Sequence, residues 1–171
     1  GRAPPWSLPK RETGAANCGT PAAMTDEAQD FDIDALNQGF REFIPHNKAL
    51  GMALTKVTVT PATAEMVLPW NEALVGNPDT RVLHGGVITT LLDACGGAAV
   101  YLHLKTPVPI ATLDLRIDFL GPSTPGKDVF ARAECIKATR NVAFVRMQCS
   151  HDLAGPPLPT KPAPALLFSF R

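Results

Sequence analysis

An apolar run from His84 to Leu104 contains a single carboxylate, that of Asp93. At about 100° per residue, this run predicts one long helix with two unlike faces. The bulky apolar face carries Ile88, Leu91, Cys95, Ala98 and Leu102. Asp93 shares the opposite face with the small residues Gly86, Thr89, Thr90, Gly96 and Gly97. The fold must cover the bulky face with a sheet, while the small face lets another backbone or a ligand come close.

The start of this helix and its carboxylate both point to chemistry. His84-Gly85-Gly86 opens the helix, where backbone N–H groups are free and lie in the positive end of the helix dipole. Such a start can hold a carbonyl oxygen that is becoming negative. A lone Asp93 in an apolar helix is costly to bury. Together they predict a hydrolytic site. In the alternative interpretation, Asp93 only bonds a neighbouring helix and the glycines only permit tight packing.

The rest of the chain divides into an extension and one domain. Residues 1–28 are rich in Pro, Gly and Ala without periodicity, so we expect an N-terminal extension there and a folded domain over 29–171. A helical stripe over 31–44 stops at Pro45. Strands are predicted at 49–59, 63–68, 111–120, 128–138 and 142–151, with loops at 71–82 and 152–164 and a closing edge strand at 165–170. Without β-α-β alternation, the class is α+β, with an antiparallel sheet wrapped around one long helix.

Composition excludes several classes of protein. Formal net charge is zero, which argues against a nucleic-acid surface or a polybasic membrane anchor. His84, Asp93 and His103 argue against a membrane span within the apolar run. The four cysteines, Cys18, Cys95, Cys135 and Cys149, form no C-x-x-C pair. We therefore expect reduced thiols in a cytoplasmic protein, with neither a metal site nor a cofactor.

Two motifs carry a resemblance to a known family. Leu83-His84-Gly85-Gly86 is followed by Asp93 nine residues after the histidine, and the segment 112–123 runs from a strand into Gly-Pro-Ser. Over about residues 30–170 the chain resembles the hotdog-fold acyl-CoA thioesterases, in particular the group related to the phenylacetate-pathway thioesterase. The resemblance implies the hotdog fold and hydrolysis of an acyl- or aryl-CoA to the free acid and coenzyme A.

The resemblance also implies roles for residues at the helix. The Gly85 N–H matches the oxyanion donor of the family, and Asp93 matches the acidic residue that is either general base or nucleophile. Gly86 belongs to the small face at which substrate is expected. His84 is interpreted as a structural hydrogen bonder at the helix start rather than as a base. Thr112 lies where a relative places a hydroxyl that holds the attacking water, with a plain strand residue as the alternative.

Outside the helix, the candidates are substrate contacts. Asn77 precedes His84 by seven residues, whereas some relatives have an asparagine six before it, so Asn77 is either a thioester contact or an Asn-Pro turn residue. Arg140 and Asn141 lie in a predicted hairpin that could touch the phosphates of coenzyme A, the only cofactor-like group expected and itself part of the substrate.

The spacing on the helix predicts an oligomer. Gly85 and Asp93 are eight residues apart, or about 12 Å along one helix, too far for both to serve one carbonyl group. Two such helices from different subunits can supply one group each, with Gly85 of one facing Asp93 of the other, so we expect a homodimer or a homotetramer built from dimers. Two rival functions remain: a hotdog dehydratase or hydratase, which normally needs a catalytic histidine, and a non-catalytic acyl-CoA-binding protein.

Overall fold

Helix α3 (Gly85–Leu104) is the centre of the molecule, as the apolar run predicts. The structure, a computed structural model, describes residues 32–105, 108–152 and 165–170, the last of these without their side chains. The predicted extension over 1–28 and the loop over 153–164 lie outside these residues. Ile88, Leu91, Cys95 and Ala98 are buried and Leu102 is half-buried, which confirms the bulky face of the helix.

Two helices precede the sheet. Helix α1 (Ile33–Phe43) begins after Asp32, whose carboxylate accepts the Ala35 N–H at 3.0 Å, a normal N-cap. Pro45 ends it as predicted but also opens helix α2 (Pro45–Ala49), because proline is well suited to the first turn of a helix. The prediction of a strand from residue 49 was therefore wrong, and the first strand begins at Ala53.

A six-stranded antiparallel sheet wraps around α3. Its strands are β1 (Ala53–Val59), β2 (Ala62–Leu68), β5 (Ile110–Asp114), β6 (Val129–Ala138), β7 (Val142–Ser150) and β8 (Ala165–Phe170). They lie in the order β1-β2-β6-β7-β8-β5. This arrangement confirms the α+β class and the predicted hotdog fold. The edges of the sheet are therefore β1 and β5.

The sheet corrects two predictions about strands. The segment 165–170 does form a strand, but β8 lies between β7 and β5 instead of closing an edge. Strand β5 ends at Asp114 rather than at residue 120, because Ile110–Asp114 pairs with β8 and residues 115–120 have no strand partner among the described residues. The hairpins β1–β2 and β6–β7 form as predicted.

The predicted loop over 71–82 contains structure of its own. A 3₁₀ turn (Glu72–Leu74) is followed by β3 (Val75–Asn77) and β4 (Val82–Leu83), which pair as a small hairpin. Its two strands approach so closely at Gly76 that a Cβ there would lie 2.7 Å from the Cα of His84. The hairpin therefore places His84, and with it the start of α3.

Small side chains on the sheet let α3 lie close to it. The helix packs mainly against β2, β6 and β7, whose inward positions include Ala64, Ala131, Ala133 and Ala143, all fully buried. By length and composition Gly85–Leu104 could cross a membrane, but in this fold it is the core helix of the sheet. The burial of this apolar surface is the main stabilising contribution to the domain.

Candidate active site

The start of α3 leaves one backbone donor free. His84 is the N-cap, and its Nδ1 accepts the Gly86 N–H at 3.0 Å. A Cβ at Gly86 would lie 2.9 Å from that nitrogen, so any larger residue here would displace the His84 ring from the cap. The His84 N–H donates to the Leu74 carbonyl oxygen at 2.9 Å. Within the described part of the chain no acceptor meets the Gly85 N–H, which points out of the helix end.

Asp93 and Thr112 meet on the small face of α3. Asp93 is half-buried, and its Oδ1 accepts a hydrogen bond of 2.7 Å from the Thr112 hydroxyl. Thr112 belongs to β5, the open edge of the sheet. The second carboxylate oxygen, Oδ2, has no hydrogen-bond partner among the residues described. The carboxylate is thus oriented by Thr112 and retains a free oxygen for water or substrate.

The small face is shorter than the sequence indicates. Thr89 and Thr90 are half-buried, and their hydroxyls donate to the carbonyl oxygens of Gly85 and Gly86, both at 3.0 Å. Gly96 and Gly97 are already buried within the single subunit. Only the N-terminal half of the face, from Gly85 to Asp93, remains accessible. A second backbone or a ligand therefore has to approach there.

Two residues at this helix start were missed from the sequence. The ring of Phe119 lies against Gly85, so that a Cβ on the glycine would be 3.4 Å from its Cζ. The Ser123 hydroxyl accepts the Leu83 N–H at 2.8 Å. Both belong to the segment between β5 and β6, about 40 residues along the chain from the helix start. No local pattern in the sequence predicts that these two residues contact the helix start, although Ser123 belongs to the Gly-Pro-Ser motif of the family resemblance.

Comparisons with known proteins decide the family. The model of the thioesterase superfamily matches residues 81–151, which include Gly85, Asp93 and Thr112. The medium/long-chain acyl-CoA thioesterase YigI of Escherichia coli is 30% identical over 133 residues, covering 70% of this chain and 84% of that protein. The chain belongs to the thioesterase superfamily. It is therefore a thioester hydrolase.

Other relatives support the fold of this thioesterase. A crystal structure of a Pseudomonas aeruginosa protein has 33% identity and a TM-score of 0.66, covering 81% of this chain and 98% of that one. A phenylacetic acid degradation-related protein of Ralstonia eutropha has 21% identity and a TM-score of 0.60, with coverage of 81% and 96%. The second comparison shows the hotdog fold alone, because its identity is low.

Asn77 is engaged in a turn of the thioesterase. Its Oδ1 accepts the N–H groups of Asp79 at 2.9 Å and Thr80 at 3.3 Å, and its carbonyl oxygen accepts that of Arg81 at 2.7 Å. This is the Asx-turn geometry of the alternative interpretation. Arg81 closes the turn with a φ of 55°, a left-handed conformation that is uncommon outside glycine. A contact between Asn77 and substrate stays a prediction, and its side-chain oxygen is already occupied.

Arg140 and Asn141 lie far from Gly85 of the same subunit. Both are exposed in the β6–β7 hairpin. The next residue, Val142, pairs with Ser169 of β8, which pairs with Ala111 at the start of β5. Residues Glu134 to Ile136, shortly before the hairpin, line one pocket with His103 and Lys105, so the hairpin lies toward the end of α3 rather than its start. Within one subunit the structure does not bring this hairpin to the Gly85 N–H.

The three described cysteines of the thioesterase have the properties of structural thiols. Cys95, Cys135 and Cys149 are free thiols, whereas Cys18 lies outside the described residues. Burial raises the pKa of all three thiols, so they stay protonated at neutral pH. Cys95 donates from the bulky face of α3 to the carbonyl oxygen of Ala64 at 3.3 Å. In the described part of the chain, no three His, Cys, Asp or Glu side chains cluster as metal ligands.

Proposed function

We propose that this thioesterase hydrolyses the thioester of an acyl- or aryl-CoA, with Asp93 as general base or nucleophile and the Gly85 N–H of the partner subunit as oxyanion donor. The observation that carries the proposal is the Thr112–Asp93 hydrogen bond of 2.7 Å. It orients a half-buried carboxylate on the only accessible part of the small face. A half-buried carboxylate that is held by one hydrogen bond and keeps one oxygen free is suited to act on a ligand approaching this face.

The chemistry needs a polarised carbonyl and an attacking oxygen. If Asp93 is the base, it takes a proton from water while the water oxygen bonds to the thioester carbon. The C–S bond then breaks, and the thiolate of coenzyme A receives the proton. If Asp93 is the nucleophile, its own oxygen bonds to that carbon, the thiolate leaves, and water hydrolyses the resulting anhydride. If a single turnover in heavy-oxygen water leaves labelled oxygen in the Asp93 carboxylate, the nucleophilic route is identified.

The geometry of one subunit supports a site shared between two. Gly85 and Asp93 are separated by about 12 Å along α3, and a reacting carbonyl must lie within about 3 Å of its donor. Strand β5 is an open edge, and it carries Thr112 beside Asp93. Leu113 on this strand is 54% exposed, and Leu120 beyond it is 98% exposed. A second copy docked on this edge would cover both leucines and bring its own helix start to Asp93.

The proposed substrate class rests on the names of the relatives. YigI of Escherichia coli is named for medium- and long-chain acyl-CoAs. We therefore propose medium- and long-chain acyl-CoAs as the preferred substrates, with aryl-CoAs as the alternative. A coenzyme A contact at Arg140 and Asn141 requires the hairpin of one subunit to meet the helix start of the other, since the two are distant within a chain.

Thiol release from a panel of acyl- and aryl-CoAs tests the proposal. Asp93→Ala should lower kcat on the order of 1,000-fold because the base or nucleophile is removed. Thr112→Ala should lower it about tenfold, since the carboxylate loses its orientation. Asp34→Ala, which removes an exposed carboxylate on α1, is the matched control and should leave kcat unchanged. Wild-type turnover by a folded Asp93→Ala protein would rule the assignment out.

A further inference from the structure

The backbone just ahead of Gly85 is held by the segment between β5 and β6, about 40 residues further along the chain. Leu83 is 6% exposed, and its N–H donates to the Ser123 hydroxyl at 2.8 Å. Only His84 separates Leu83 from Gly85. A buried N–H left without an acceptor is costly, so the chain would move to satisfy it if the hydroxyl were lost.

Ser123 is itself held in place through the next residue. The Thr124 N–H donates to His151 Nε2 at 2.8 Å, and His151 Nδ1 lies 2.7 Å from the carbonyl oxygen of Asp128. Because Nε2 accepts, the ring proton is on Nδ1, which donates to Asp128. His151 follows β7 and Asp128 precedes β6, so the loop containing Ser123 is anchored to the rigid sheet.

We propose that Ser123 is a positioning residue for the Gly85 N–H, with His151 anchoring its loop to the sheet. The inference rests on the proposed role of Gly85 as oxyanion donor. Of the hydrogen bonds at the helix start, His84 N–H to Leu74 stays within the neighbouring hairpin, and Gly86 N–H to His84 stays within the helix cap. Leu83 N–H to Ser123 is the one that ties this region to the β6–β7 side of the sheet.

The contact of Phe119 with Gly85 adds a second link from the same segment. The Phe119 ring lies against Gly85. Ser123, four residues after Phe119, holds Leu83, which is two residues before Gly85. The direction of the Gly85 N–H is therefore set by the segment between β5 and β6, which is remote in sequence. Oxyanion donors act only when they are preorganised, and a displacement of about 1 Å can cost up to about 100-fold in rate.

Steady-state kinetics of Ser123 variants test the proposal. Ser123→Ala should lower kcat about tenfold and change KM less than about twofold, because the donor acts mainly on the transition state. Ser123→Thr keeps the hydroxyl and should restore most of kcat. Ser123→Cys, which has a similar size and a weaker acceptor, should fall between the two and replaces the alanine variant if that does not fold. A wild-type kcat in folded Ser123→Ala would overturn the proposal.

A control must separate positioning from loss of stability. Asn37→Ala is well matched, because the Asn37 Oδ1 also accepts a part-buried backbone N–H, that of Leu54 at 2.7 Å. Asn37 lies on α1, which packs against β1, and β1 is at the opposite edge of the sheet from β5. It should reduce thermal stability at least as much as Ser123→Ala while leaving kcat unchanged. An equal loss of kcat in both variants would mean that Ser123 acts only through stability.

Infrared spectroscopy of a bound thioester gives a readout of the donor itself. In the slow Asp93→Asn protein, the carbonyl band of an isotope-labelled acyl-CoA should shift to lower frequency on binding, because an N–H polarises the bond. Adding Ser123→Ala should reduce that shift, and an unchanged shift would contradict the proposal. Rapid hydrolysis by Asp93→Asn would instead show that the proposed catalytic role of Asp93 is wrong, and the absence of any band shift in Asp93→Asn alone would show that the Gly85 N–H is not the donor.

Discussion

The two edge strands of the sheet, β1 and β5, differ in how they are covered. At the β1 edge, α1 packs on the strand, and the Asn37 side chain bonds both the N–H and the carbonyl oxygen of Leu54, at 2.7 and 2.9 Å. At the β5 edge, no described helix covers the strand, and Leu113 is 54% exposed. An exposed strand edge is normally blocked, since it can pair with another chain.

The difference between the edges shows which part of the protein has its contacts within one subunit. At the β1 edge the N–H and carbonyl oxygen of Leu54 are both bonded within one subunit, and the strand carries none of the candidate site residues. The β5 edge carries Thr112, which orients Asp93, and continues into a segment ending at the almost fully exposed Leu120. The open edge and the carboxylate therefore belong to one region. We interpret that region as half of a site that a second subunit completes.

Of changes at the two edges, the larger effect is expected from a charge placed on the open edge. Leu113→Lys should prevent pairing of β5 with a second copy and lower kcat by more than about 100-fold, because an isolated subunit lacks the partner's oxyanion donor. Light scattering reports the mass and thiol release the activity. Ile136→Lys is the control. Ile136 is also exposed, but it lies on β6, which is paired on both sides, with β2 and β7. A fully active Leu113→Lys monomer would contradict the interpretation.

A smaller effect, on stability alone, is expected at the closed edge. Asn37→Ala removes both hydrogen bonds to Leu54 and should lower the free energy of unfolding by about 1–3 kcal/mol. Denaturant unfolding measures that loss. The oligomeric mass and kcat should stay at wild-type values, because this edge holds no site residue. A loss of kcat in the folded protein would show that the two edges are not functionally separate.

Much of the fold could be predicted because its signals are local. The apolar run gave α3 to within one residue, and alternation with turn residues gave the β1–β2 and β6–β7 hairpins. The position of β8 between β7 and β5 could not be read in this way, because strand order depends on contacts between distant segments. The small hairpin at 75–83 was missed since its strands are only three and two residues long.

The site shows the same division. Gly85 and Asp93 lie on one helix, and their spacing and chemistry are visible in the sequence. Thr112 was named only through the family resemblance, and the structure adds its hydrogen bond to Asp93. The contact between Leu83 and Ser123 joins strand β4 to a loop 40 residues further along the chain, with no periodicity to reveal it. A serine after a proline in a loop has too many ordinary explanations to be singled out from the sequence.

Complementation between two inactive variants tests the shared site most directly. Gly85→Pro removes the N–H at a helix position where proline is well tolerated, and Asp93→Ala removes the carboxylate. Each homodimer should be inactive at both sites. After co-refolding, about half of the dimers should be mixed, each with one intact site of two, so activity should return to roughly a quarter of wild type per chain. No recovery from folded, demonstrably mixed dimers would show that both groups act within one subunit.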